Sequence, residues 1–213
     1  MDTTSNSGSG GLLGETIELT AGTGGVTAYV NATKSATLTG SASGDTFMLV
    51  SSMKSGEKAA FTVDLGSDTV EDDVLIQYGW TMSGSATIEI KNLGLSNDKT
   101  NIASSSVESL TKENALTLLK SAFSLGDSAT ISKAYVFSGN ETVLVDDTDS
   151  SATANLFTIG SDSYAVVGSG TGDSTLGDGE IAVKLTGIAA GNGENADSTF
   201  VTNILGFMGE NAG

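Results

Sequence analysis

Carboxylates are the side chains in this sequence best placed to do chemistry, and they cluster in glycine-rich turns. A first turn spans residues 40–47, a second begins at residue 64 and continues through an acidic run to 73, and a third spans residues 172–180. Carboxylate and carbonyl oxygens are the ligands that Ca²⁺ prefers, six to eight at a time. We therefore predict Ca²⁺ binding in these turns, with the third as the strongest candidate. The predicted ligands are Asp45, Asp68, Asp72, Asp173, Asp178 and Glu180.

The same turns have a simpler explanation. Asp-Gly and Ser-Gly pairs are ordinary turn-forming sequences, and an aspartate in a loop needs no metal. No complete EF-hand pattern occurs, and a fourth acidic cluster at Asp146, Asp147 and Asp149 has no regular spacing. Both explanations stay open for each turn.

The composition excludes several classes of function. Among 213 residues there are 26 Asp or Glu and 9 Lys, but no Arg, His, Cys or Pro, and the net charge is −17. Ser-His-Asp triads, cysteine nucleophiles and thiolate or imidazole zinc sites are therefore impossible. Paired carboxylates could still hydrolyse glycosides, but a single Trp offers little platform for sugars. We predict a protein that is not an enzyme and does not bind nucleic acid, which its charge repels.

The chain shows no pattern for membrane insertion. Its first ten residues lack the lysine and the apolar run of a Sec-type signal, and no stretch approaches the ~18 apolar residues of a membrane span. Acidic, cysteine-free, Ser/Thr/Gly-rich sequences are common in bacterial surface proteins. We therefore predict an extracellular or cell-surface protein without a membrane span.

Short runs of alternating, β-branched residues predict about a dozen strands and an all-β fold, either a sandwich or β-roll-like. Ser105 and Glu108 fit a helix capping box, Thr111 offers a second cap, and apolar residues then recur at helical spacing. One amphipathic helix is expected near 106–124. The predicted organisation is a flexible arm (1–14), a β module (15–104), the helix (105–126) and a C-terminal β module with the acidic loop (127–213). No internal repeat of fixed period is visible.

Two segments resemble known proteins. Residues 38–47 (LTGSASGDTF) resemble one copy of the glycine/aspartate repeats of RTX-type proteins. Residues 157–167 (FTIGSDSYAVV), followed by the acidic turn and residues 180–188 (EIAVKLTGI), resemble the C-terminal region of bacterial surface-layer and RTX-like proteins exported by type I secretion. This resemblance implies export without an N-terminal signal, a Ca²⁺-responsive β fold and a surface or matrix role. It also implies that Asp173, Asp178 and Glu180 are the acidic ligands of the loop.

These observations lead to two hypotheses of function. The first is a secreted structural protein that self-assembles into a surface layer, filament or biofilm matrix, with strand exchange through residues 16–20 or 26–30 and with Ca²⁺ bridging. This hypothesis expects a homo-polymer. The alternative is a Ca²⁺-dependent adhesin or carbohydrate-binding module, with a cell-surface polysaccharide as its partner.

Overall fold

The structure is a computed structural model that describes residues 8–50, 53–76, 83–94, 98–100, 107–138, 141–145, 149, 151–168 and 172–189. One helix and fourteen strands occur in these ranges, which confirms the predicted all-β fold with one helix. The strands are β1 Gly8–Thr20, β2 Val26–Thr39, β3 Thr46–Val50, β4 Lys58–Asp64, β5 Asp73–Ile76, β6 Ser85–Lys91, β7 Lys99–Thr100, β8 Leu110–Thr111, β9 Ile131–Ser138, β10 Glu141–Leu144, β11 Thr153–Ala154, β12 Leu156–Ile159, β13 Asp162–Val167 and β14 Ile181–Leu185, and helix α1 is Lys112–Phe123.

The first half of the described chain winds into a coil of parallel strands. Strand β1 pairs with β2 in parallel along nearly its whole length. The first half of β2 then pairs with β3, and its second half pairs with β4, again in parallel. Two branches therefore diverge from β2: branch A continues through β3, β5 and β7, and branch B continues through β4, β6 and β14.

The turns of this coil differ in length, which explains why the sequence shows no fixed repeat. Gly8 lies beside Val26, 18 positions along the chain, whereas Thr46 lies beside Asp73, 27 positions along. The longer turns contain the connections between strands of the two branches. The side-chain pattern is thus kept in the strands while the spacing between them varies.

The interior of the coil is built from columns of apolar side chains. Strands β2, β4, β5 and β6 alternate between buried and more exposed residues, as expected for strands with one face inside. Parallel register puts equivalent residues on top of each other, and one such column in branch B is Leu19, Leu38, Val63, Ile90 and Leu185. All five side chains are buried.

Branch B continues into an antiparallel extension. Strand β14 pairs in parallel with β6 on one side and antiparallel with β13 on the other, and β12, β9 and β10 follow. Helix α1 buries Ala115, Leu118 and Leu119. These residues belong to a second core with Phe157 and Tyr164 of the extension. The sheet is therefore continuous across the boundary that we predicted near residue 104.

The helix begins later than predicted. It starts at Lys112, because the Thr111 side chain caps it by accepting a hydrogen bond from the Asn114 amide at 3.3 Å. Val107 instead forms an isolated bridge with Val167, and residues 110–111 form a short strand. The helix ends before Ser124, which adopts a left-handed conformation with φ of 52°. The helix therefore starts later than the expected residue 106, because Val107 and residues 110–111 pair with other strands instead.

The predicted flexible arm, 1–14, overlaps strand β1 from Gly8 onward, because a parallel ladder bonds main-chain groups and does not require side chains at its glycines. The strands form one mixed twelve-stranded sheet with a separate two-stranded one, which is consistent with the predicted all-β fold. Residues 1–7, Trp80 and the apolar tail 200–208 lie outside the described residues.

Gly84 provides a test of the coil's close packing. A Cβ atom added there would lie 2.4 Å from the carbonyl oxygen of Glu57 and 2.8 Å from that of Lys54, both of which are main-chain atoms. We expect Gly84→Ala to lower the free energy of unfolding by about 1–3 kcal/mol, as overpacking does. Urea unfolding followed by circular dichroism would measure it.

Gly126→Ala is the matched control, because an added Cβ there meets nothing within 4 Å. The two variants change the chain by the same methyl group. Equal unfolding midpoints for both would contradict the tight contact between the turn at 54–57 and Gly84.

Candidate functional site

Three aspartates stack in a column at one corner of the coil. Asp45, Asp72 and Asp98 each precede a strand of branch A, and the register of that branch places them in successive turns. Each side chain is almost wholly buried, with an exposed fraction of 1%, 2% and 4% respectively. Carboxylates are rarely buried unless they are paired or hydrogen-bonded, so their partners are informative.

The partners are main-chain amides of the preceding turn. Asp45 Oδ1 accepts from the Val26 amide at 2.6 Å, Asp72 Oδ1 from the Asp45 amide at 2.7 Å, and Asp98 Oδ1 from the Asp72 amide at 3.1 Å. We call this arrangement the aspartate column. Each carboxylate thus links one turn of the coil to the next just before the hydrogen-bonded pairing of the strands starts.

The second carboxylate oxygens hold the turns themselves. Asp45 Oδ2 accepts from the Ser41 amide and Asp98 Oδ2 from the Gly94 amide, both at 2.6 Å and four residues earlier. These short bonds to a charged acceptor are stronger than bonds between neutral groups. The column therefore fixes both the shape of each corner and the spacing between corners.

The column carries an electrostatic cost. Burial raises the pKa of Asp72 to about 7, the amide of Asp45 opposes that rise, and the nearby carboxylates of Asp98, Asp45 and Asp68 add to it. Burial likewise raises the pKa of Asp98, against the amides of Gly94 and Asp72. The folded state therefore favours a protonated carboxyl in the column.

Asp68 lies in the turn before Asp72 but makes a different contact. Its Oδ1 accepts from the Val70 amide at 2.7 Å, a bond within the turn. Its Oδ2 is buried and meets no hydrogen-bond donor among the described residues. Among the six predicted ligands, Asp68 is the one with a buried carboxylate oxygen that accepts no hydrogen bond from the described residues.

The structure does not bring the predicted ligands of the third turn together. Asp173 Oδ1 accepts from the amide and hydroxyl of Thr175 within the turn. Asp178 reaches across to the Ser55 hydroxyl and, at 2.9 Å, to the Gly56 amide, and these bonds lower its pKa. Glu180 is buried and accepts from the Gly177 amide at 2.5 Å.

In the described part of the chain, no group of three or more carboxylates is arranged to hold a metal ion. The predicted ligands instead bond to main-chain amides and hydroxyls. Of the fourth acidic cluster, Asp146 and Asp147 lie outside the described residues.

Sequence reasoning missed Asp98. A signal for it exists, because Gly40, Gly66 and Gly94 are each followed four to six residues later by an aspartate that precedes a branch A strand. The aspartates recur after 27 and then 26 residues, but the distance from glycine to aspartate varies from four to six, so the pattern becomes evident only when the strands are aligned.

Three described strands are edges of the large sheet: β1 pairs only with β2, β10 only with β9 and β7 only with β5. Two of these edge strands also carry an exposed apolar side chain, Leu13 on β1 with 81% exposure and Val143 on β10 with 55%. Unpaired edges of this kind can take up a strand from another chain.

Comparisons with known proteins found no match. The chain matches no protein-family model, no curated protein and no solved structure. Among the residues that the structure describes, no helix has the length and apolar character needed to cross a membrane.

The raised pKa of Asp72 predicts how stability depends on pH. The carboxyl titrates near about 4 in the unfolded chain and near about 7 in the folded protein. Its stabilising contribution is therefore complete below about pH 4 and is lost as the pH rises through 7. We expect Asp72→Asn, which keeps the acceptor oxygen but no charge, to stabilise the protein at pH 8 and to reduce the fall in stability between pH 5 and 8.

Urea unfolding of both proteins across this range gives the difference directly. Asp127→Asn, at an exposed site after the helix, removes the same charge as a control. If Asp72→Asn and Asp127→Asn changed the pH dependence equally, the column would not be its source.

Proposed function

We propose that this protein is a secreted, non-catalytic structural subunit that self-assembles into an extracellular filament or surface layer. The observation that carries the proposal is the open coil: β1 extends for 13 residues and uses only one of its two hydrogen-bonding edges among the described strands. A parallel coil can continue through a further copy without changing its own structure.

The exposed apolar side chains support the same function. Leu13 and Val143 lie on two different edge strands of the sheet, β1 and β10. A contact between different edges of successive copies is heterologous, and such contacts give open filaments unless the rotation closes a ring. Burial of both side chains would add a favourable hydrophobic term to the main-chain hydrogen bonds of the new pair.

The negative charge of the protein supports a role for Ca²⁺ in assembly. Copies that each carry −17 repel one another, and divalent cations between exposed carboxylates reduce that repulsion. Asp173 and Asp178 are exposed on the turn before β14, whereas Asp68 Oδ2, which has no hydrogen-bond partner among the described residues, is buried. We propose Ca²⁺ bridging between copies by the exposed carboxylates of Asp173 and Asp178, with Asp45, Asp72 and Glu180 acting mainly through their main-chain bonds.

The resemblance to type I secretion substrates supports the extracellular location. It covers residues 157–188, which contain the consecutive antiparallel strands β12, β13 and β14. A polyanionic chain without cysteine stays soluble while unfolded, as export in an unfolded state requires. The proposed location is the cell surface or the extracellular matrix.

The open edge at β1 leads to a test of assembly. We expect Leu13→Lys to abolish filaments or sheets in negative-stain electron microscopy, because a lysine on an edge strand opposes strand addition. Its unfolding midpoint should stay unchanged, since Leu13 is 81% exposed.

Val70→Lys is the matched control, because Val70 is an exposed apolar residue outside the strands. It should assemble as the unchanged protein does. Assembly of Leu13→Lys at the normal length would refute strand addition at β1, and single particles from the unchanged protein would favour the binding-module alternative.

The role of Ca²⁺ is tested by the same microscopy with about 5 mM Ca²⁺ and with a chelator, a concentration above the roughly 10⁻⁴–10⁻³ M dissociation constants of extracellular modules. We expect assemblies only with Ca²⁺. Asp173→Asn should raise the Ca²⁺ concentration needed, because it removes one exposed charge while its oxygen can still accept from Thr175.

Asp127→Asn, the control at an exposed site outside the acidic turns, should leave the Ca²⁺ requirement unchanged. Assemblies in both calcium and chelator would remove the metal from the mechanism and keep the structural role.

A further inference from the structure

A cleft of about 320 Å³ lies between branch B and helix α1. Its floor is the outer face of β4 and β6, and its walls are the last turn of α1, the end of the loop before β14, and Lys34 of β2. The volume is at the lower end of the range of ligand pockets, roughly 300–1,000 Å³. It therefore suits a ligand of one or two rings.

The cleft exists because small side chains occupy the floor where the helix stops covering the sheet. Ala60 and Thr87 are adjacent in register on β4 and β6 and face outward. The next residue in that register, Ala182 of β14, is buried in the core under the helix. A pocket remains at the edge of that core, beside Ser121 and Ala122.

The cleft is unusually cationic for this protein. Lys34 and Lys58 are two of only nine lysines in the chain, and among the described residues that line the cleft there is no carboxylate, although the charge of Glu57 acts on Lys34 from nearby. The Lys58 ammonium makes no hydrogen bond or ion pair with the described residues. In a protein of charge −17, two lysines that line one cleft form a local site for an anion.

Lys34 already binds a carboxylate at the mouth of the cleft. Its Nζ lies 2.8 Å from Glu15 Oε2, and the two side chains are 65% and 72% exposed. The hydrogen bond and charge of Lys34 lower the pKa of Glu15. Exposed pairs of this kind contribute little stability, so a carboxylate of a ligand can replace Glu15.

The remaining polar groups of the cleft are hydroxyls. Thr87 and Ser121 each present a group that can both donate and accept, and the Thr175 hydroxyl, which donates to Asp173, can still accept. The methyl groups of Ala60 and Ala122 and the side chain of Leu176 add apolar surface between them. This combination matches a sugar ring, which carries hydroxyls around its edge and C–H groups on its faces.

We propose that this cleft binds a carboxylate-bearing sugar, one or two uronic acid residues of an acidic polysaccharide. Lys58, with Lys34, takes the carboxylate, and the serine and threonine hydroxyls bond to those of the sugar. The site lies within one copy of the chain, so this inference stands whether or not the protein polymerises. The hydroxyls of Thr87, Ser121 and Thr175 favour a sugar over an acidic peptide, whose main chain would place amides there.

Digalacturonate is the probe, with digalactose as the neutral match. In ¹⁵N NMR titrations of the full chain under chelator, we expect saturable shifts at Ala60, Thr87 and Ser121 with digalacturonate only. Lys58→Gln should weaken binding about tenfold or more, in line with loss of a charged hydrogen bond. Ala60→Tyr, at an exposed strand position, should fill the cleft and block binding while both lysines remain.

Glu15→Gln tests the occupancy of Lys34. It should tighten binding severalfold by releasing the ammonium, whereas Glu18→Gln, which removes the same charge from the same strand, should change the affinity less. Lys133→Gln controls for a general loss of positive charge, because Lys133 does not line the cleft.

Four results would overturn the proposal. The first is that no residue of the cleft shifts at 10 mM digalacturonate, a concentration about tenfold above a millimolar dissociation constant. The second is that digalactose binds equally well, and the third is that Lys58→Gln and Lys133→Gln weaken binding equally. The fourth is that an acidic hexapeptide binds in the cleft and the sugar does not. The last result would identify a protein carboxylate as the ligand.

Discussion

A parallel coil must satisfy the main-chain amides at its corners, where one turn of the chain leaves the ladder and the next begins. Strand residues bond to neighbouring turns, but a corner has no regular partner, and a buried amide without one costs about 1–3 kcal/mol. In branch A the aspartate column fills this need. Asp45, Asp72 and Asp98 each accept from the turn before, so the register of β3, β5 and β7 depends on three buried carboxylates.

The hydrogen bonds of the aspartate column stabilise the corners, whereas the buried negative charges of the same carboxylates destabilise them. The column places like charges in successive turns, and burial raises the pKa of Asp72 and Asp98 above the usual range. Among the described residues branch B has no such column, and its outward polar groups include a compensated cluster in which Glu89 is held by Lys184 at 3.0 Å and Thr186 at 2.9 Å. Although burial opposes it, these bonds lower the pKa of Glu89. The pKa of Glu89 is therefore shifted in the opposite direction to those of Asp72 and Asp98.

The sequence predicts local structure well and long-range pairing poorly. Alternation in residues 16–20, 26–30 and 60–65 identifies strands, and the spacing of Ala115, Leu118 and Leu119 identifies the helix, because each pattern reflects one element against one core. The glycines of residues 8–14 gave no such pattern, since their strand is specified by the neighbouring main chain.

The pairing of strands that lie 18 to 27 residues apart could not be assigned from the sequence either, because main-chain hydrogen bonds specify it and leave no pattern of residue types. The acidic turns were recognised as distinctive, but their residue types alone do not separate a metal ligand from an acceptor of main-chain amides.

The ends of the coil follow from the same constraint as its corners. An internal turn bonds its main chain on both sides, whereas β1 bonds on one side among the described strands. The antiparallel extension and helix α1 cover much of the outer face of branch B beyond β6, and the cleft remains where that cover stops. A sheet that ends in the parallel strand β1 on one side and in an antiparallel extension on the other has a direction. Polarity of this kind is what the proposed subunit needs to add head to tail, and it comes from main-chain pairing without a dedicated interface sequence.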